Sequence, residues 1–104
     1  MEPTSSYKPV ESALKVLKII PVLAGHEFTG KTPGEIATAI GVGAASVGHY
    51  LVTLEAAGFA ERIPDTGNWR LGPAPVRIGL AYMRHLDAAE RKMAEIKNRF
   101  TREI

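Results

Sequence analysis

The chain has 104 residues, a formal net charge of +2, 45% apolar and 23% charged residues, and no cysteine. This suits one modest globular domain with an appendage, and it excludes general disorder, a disulfide scaffold and a thiolate metal site. No secretory leader and no run of about 18 uncharged apolar residues occurs, so neither export nor a membrane partner is expected, and the cytoplasm is the predicted location.

Residues 1–9, with Pro3, Pro9 and the Thr4-Ser5-Ser6 run, read as a flexible arm. From Val10 to Leu23 the apolar residues Val10, Ala13, Leu14, Val16, Leu17, Ile20 and Leu23 follow helical spacing, with Pro21 near the end. Residues 24–31 read as a loop, with a short strand expected at Phe28-Thr29. Thr32-Pro33-Gly34-Glu35 predicts a helix start: a threonine cap, proline at the first position, and a glutamate placed to complete a capping box. The second helix is predicted over about Pro33 to Ile40, and the third over about Ala44 to Ala57, closed by Gly58.

The two segments carry the spacing of a helix-turn-helix, which needs a small residue at the crossing and a turn residue tolerant of positive φ. Ala37 and Gly41 meet these needs, and Ile36, Ile40, Val42, Val47 and Tyr50 point inward. Gly43, Ala44, Ala45, Gly48 and His49 face outward, the side that would enter a major groove.

Phe59 to Ile63 and Asn68 to Leu71 alternate apolar and polar residues around Pro64-Asp65-Thr66-Gly67, which predicts a β-hairpin, or wing. Strand alternation is expected to place Arg62 and Arg70 together on the face opposite Ile63, Trp69 and Leu71, toward a sugar-phosphate backbone. After Pro73 and Pro75 a last helix is predicted from near Ala74–Val76 towards Phe100, roughly 40 Å long. Its Tyr82, Leu86, Ala89, Met93, Ile96 and Phe100 recur at four- and three-residue steps, the stripe of a coiled-coil seam, so homodimerisation through this helix is expected. The predicted fold is mainly α (α+β): a winged helix-turn-helix over residues 10–73, followed by a linker and dimerisation helix over 74–104.

The order of these motifs resembles the DNA-binding domain of IclR-type (isocitrate-lyase-regulator) transcription regulators. The resemblance is carried by Ser12-Ala13-Leu14-Lys15-Val16-Leu17, Gly34-Glu35-Ile36-Ala37, Val47 to Phe59, and Trp69-Arg70-Leu71-Gly72. It implies a dimeric winged helix that binds palindromic double-stranded DNA and acts on transcription. The effector-binding domain that follows in such regulators has no counterpart within residues 1–104, so ligand control is not carried over, whether the chain is a stand-alone regulator or a fragment. The candidate DNA contacts are Lys31 and Thr32 before the second helix, Ala44, Ala45, Ser46, His49 and Thr53 on the third, and Arg62, Asn68 and Arg70 on the wing. His26, His49 and His85 lack ligand-like spacing and no nucleophile stands beside a base, so no metal, cofactor or catalysis is expected. The alternative is a winged-helix module for protein interaction, suited by the alanine- and glycine-rich outer face of the third helix. Nucleoid association follows from the DNA-binding reading.

Overall fold

The computed structural model describes residues 6–102. Its elements, in order, are α1 (Glu11–Leu23), α2 (Pro33–Ile40), α3 (Ala44–Ala56), β1 (Ala60–Arg62), β2 (Trp69–Leu71) and α4 (Pro73–Arg102). They fall into two compact units, one ending at Ala74 and the other beginning at Pro75.

In the first unit the three short helices enclose a core of Ile19, Leu23, Ile36, Ala37, Val47, Leu51 and Leu54, closed by Ala60 and Trp69 of the hairpin. No polar side chain is buried among the described residues, so burial of apolar surface dominates the unit's stability. The inner face of α1 is Ile19 and Leu23, with Val16 and Ile20 half-buried beside them. Val10, Leu14 and Leu17, which belong to the same helically spaced apolar set, are exposed. The reason is angular: at about 100° per residue, positions 10, 14 and 17 lie roughly a third of a turn from positions 16, 19, 20 and 23. α1 therefore carries two apolar faces, and the core covers one.

α2 begins as its sequence requires. The Glu35 N–H donates to Thr32 Oγ1 at 3.1 Å while the Thr32 N–H donates to Glu35 Oε1 at 2.9 Å, completing the capping box. It stops at Gly41, whose φ of 73° turns the chain through the left-handed region. The chain bends by 104° between α2 and α3. Ala37, 8% exposed, lies in the core at the α2 side of that turn, where a small side chain lets the two helices cross. α3 ends through Gly58, at φ 79°, with the Phe59 N–H bonded to the Leu54 carbonyl.

β1 and β2 pair antiparallel in the register Ala60 with Leu71, Glu61 with Arg70 and Arg62 with Trp69. A third short partner joins the hairpin, but not at Phe28-Thr29. Lys31 pairs with Trp69 through two backbone hydrogen bonds of 2.8 Å, whereas residues 27–29 form a turn and Phe28 is 95% exposed. Glycine is needed just before that pairing: Gly30 sits at φ 69°, and an added Cβ would come within 2.7 Å of the Trp69 carbonyl oxygen.

α4 starts at Pro73, earlier than the prolines suggested from sequence. Both Pro73 and Pro75 fall in its first turn, where the missing N–H groups would have had no partner within the helix. The helix is 30 residues long, about 45 Å, and none of its residues is buried. Among the described residues no single helix is long and apolar enough to cross a membrane.

Candidate nucleic-acid interface

The outer face of α3 is built by default from what the core does not take. Val47, Leu51 and Leu54 are buried and Tyr50 is half-buried, which leaves Ala45, Gly48, His49, Val52 and Thr53 on the solvent side. Of the residues expected there, Ala44, Ala45, His49 and Thr53 are exposed and Ser46 lies half-buried at the flank. The Thr53 hydroxyl donates to the His49 carbonyl at 3.0 Å, so its proton is engaged within the helix and its free lone pairs make it an acceptor. Val52, 54% exposed, belongs to this face although it was not among the expected contacts. Its spacing of three and four residues from His49 and Gly48 is the signal that marks it.

The N-cap of α3 is Gly43, which brings no side-chain acceptor to the start of the helix. The start of α2 is different, because its orphan amides are served by Thr32 and Glu35. The Thr32 N–H holds the Glu35 carboxyl below its ordinary range, so an anion already sits at this helix start. Lys31 is half-buried and bonded through its backbone to Trp69, and its side chain makes no hydrogen bond or ion pair among the described residues.

The wing arginines do not share a face. Residues directly paired across an antiparallel ladder project to the same side. The register therefore puts Arg62 with Trp69, and Arg70 with Glu61 on the opposite side. The slip comes from the count through the turn: alternation along each strand is regular, but it fixes the relation between the strands only once the pairing is known. The Arg62 guanidinium carbon stands 4.9 Å from the centroid of the Trp69 ring, and Arg62 is exposed. Arg70 Nε donates to Glu61 Oε2 at 2.8 Å, and its Nη1 donates to the Glu27 carbonyl at 3.4 Å. Asn68 is also engaged, its Nδ2 donating to the Thr29 carbonyl at 3.0 Å. Arg62 is thus the wing cation with no carboxylate against it among the described residues.

In the second unit, Tyr82, Met93 and Phe100 are 65%, 63% and 61% exposed, and Leu86 and Ile96 are 41% and 42% exposed. Together with Ala89 they form the helix stripe named above, uncovered along its length. Among the described residues no group of three His, Cys, Asp or Glu is placed to hold a metal ion.

Comparison with known proteins gives this arrangement a family. The IclR helix-turn-helix domain matches residues 12–64, which runs from α1 through β1. The HTH-type transcriptional regulator BhcR of Paracoccus denitrificans is 34% identical over 90 residues, 86% of this chain and 30% of that protein. HmgR of Pseudomonas aeruginosa superposes with a TM-score of 0.60 at 34% identity, over 69% of this chain and 29% of that one. An IclR transcriptional regulator from Alicyclobacillus acidocaldarius gives a TM-score of 0.63 at 27% identity, over 70% of this chain and 29% of its own. The chain spans about 30% of the length of the curated relative it matches. On this match, and on the winged helix-turn-helix just described, the chain belongs to the IclR helix-turn-helix family.

Proposed function

We propose that the chain binds double-stranded DNA as a transcriptional regulator, with α3 in a major groove and the wing along the adjacent backbone. The observation that carries this reading is a helix-turn-helix whose second helix leaves Ala45, Gly48, His49 and Val52 on a free face, in a family of transcriptional regulators. On that face His49 and Ser46 supply hydrogen bonds to base edges. Ala44, Ala45 and Val52 supply apolar contact of the kind that suits thymine methyl groups. Thr53 accepts at the edge, and Arg62 and Lys31 supply cations to phosphates. With few polar groups to read bases, sequence preference is modest, and backbone contact carries most of the affinity.

Domain roles follow: residues 10–73 bind DNA, and residues 74–104 link and dimerise. The support for a homodimer is the exposed stripe from Tyr82 to Phe100, an apolar seam on a helix of about 45 Å that has no buried residue among those described. Two copies would then address two half-sites, as paired helix-turn-helix units do. Soluble action in the cytoplasm, at the nucleoid, accords with this reading.

Selection of bound duplexes from a random pool tests the proposal. Wild-type protein should enrich a motif, and His49→Ala should enrich one altered at the positions the side chain reads. Recovery of no enriched motif and no duplex affinity at low salt would remove DNA as the partner.

A further inference from the structure

The wing carries Glu61, Arg62, Asp65 and Arg70, two charges of each sign, so as a unit it presents no net charge to a polyanion. How those charges are paired decides which arginine is available. Arg70 Nε lies 2.8 Å from Glu61 Oε2, and the two side chains are 33% and 43% exposed, so the pair sits at the surface within reach of solvent and of a ligand. Arg62 has an aromatic ring against it and, among the described residues, no carboxylate.

We infer that the Glu61 carboxylate is an internal substitute for a DNA phosphate, holding Arg70 out of the interface and keeping the affinity of the wing below what two arginines would give. This inference rests on the proposed DNA-binding reading. A carboxylate and a phosphate are both anionic oxygen acceptors that a guanidinium bonds at the same distance, so they compete for the same N–H groups. If Arg70 turned to a phosphate, Glu61 would be left unpaired beside the anionic backbone, a like-charge contact that offsets the new bond. The second tie of Arg70, to the Glu27 carbonyl, holds the guanidinium toward the 25–30 turn and adds to the cost of release. Glu61 thus acts as an attenuator on the side of the wing opposite Arg62. It makes the wing contribution rest on Arg62 alone.

The test measures duplex affinity across a salt series for wild type, Glu61→Gln, Arg70→Ala, the double variant and Arg62→Ala. Glu61→Gln keeps the shape and removes the charge. It should tighten binding about fivefold at low salt and steepen the dependence of log affinity on log salt by about 0.9, the increment of one added phosphate contact. Arg70→Ala should change wild-type affinity less than about twofold and should abolish the gain in the double variant. Glu61→Thr, a residue suited to a strand, should reproduce the gain and guards against a fold specific to glutamine. Unchanged affinity and slope in both Glu61 variants would overturn the inference. If Arg62→Ala weakens wild-type binding in that same experiment, the wing is on DNA and only the attenuation fails. If no variant binds any duplex, the DNA-binding reading falls as well, and the inference with it.

Discussion

Arg62 lies over the Trp69 ring at 4.9 Å, directly across the hairpin from it, and Trp69 is 5% exposed. A buried ring anchored in the core thus holds an exposed cation in a fixed place on the wing. The stacking of such an exposed pair contributes about 0.5–1 kcal/mol to stability. Arg62→Ala should therefore lower the melting temperature by only a few degrees while weakening duplex binding markedly, as read by thermal denaturation and gel shift on the same preparation. A large loss of stability with unchanged binding would assign Arg62 to the fold instead.

Two glycines should respond in opposite directions. Gly30 sits at φ 69°, and a Cβ there would stand 2.7 Å from the Trp69 carbonyl oxygen, 2.8 Å from Ile63 Cδ1 and 2.9 Å from Asn68 Cβ. Backbone at that distance cannot step aside, and the conformation is strained for any side chain, so Gly30→Ala should cost about 2 kcal/mol or more. Gly48 is helical with nothing within 4 Å, so Gly48→Ala should stabilise by about 0.5–1 kcal/mol. Urea unfolding of the two variants checks both signs.

The capping box gives a pH signature. The Glu35 carboxyl is held below its ordinary value of 4.5, first by the hydrogen bond from the Thr32 backbone. A group whose pKa is depressed on folding contributes stability that is fully present above its unfolded pKa and is lost as pH falls through the folded one. The stability gap between wild type and Glu35→Ala should be constant near neutral pH and shrink as the pH is taken below 4.5, as followed by unfolding curves at pH 7 and at acid pH. A gap independent of pH would mean that the carboxylate is not the capping group.

The α4 stripe predicts self-association. Met93 and Ile96 stand 63% and 42% exposed on adjacent turns of that stripe. Replacing both with Asp puts like charges into the proposed seam and should yield a monomer in sedimentation, with helix content in the first unit unaltered. An unchanged mass would remove this seam from the dimer.

The parts of the fold governed by local chemistry were legible in the sequence. Thr32, Pro33, Glu35 and Gly41 fix both ends of α2 by capping and by positive φ, and these act within a few residues. What escaped depends on partners distant in the chain. The buried face of α1 is chosen by where α2 and α3 sit, so Ile19 is fully buried while the equally apolar Leu17 is exposed. The wing arginines were separated by a register that no single strand encodes, and Lys31, not Phe28-Thr29, bridges to the hairpin because its partner is Trp69, 38 residues on. On the candidate interface, periodicity identified Ala45 and His49 on the outer face. It could not reveal that Asn68 and Arg70 are already engaged by the 25–30 turn and Glu61.

DNA binding with the wing on the phosphate backbone is tested by titrating wild type and Arg62→Ala with a duplex from the selected pool over a range of salt. Log affinity of the wild type should fall linearly with log salt, and Arg62→Ala should lower the slope by about 0.9, the loss of one phosphate contact. Wild-type affinity that does not vary with salt, or is absent at the lowest salt, would contradict it.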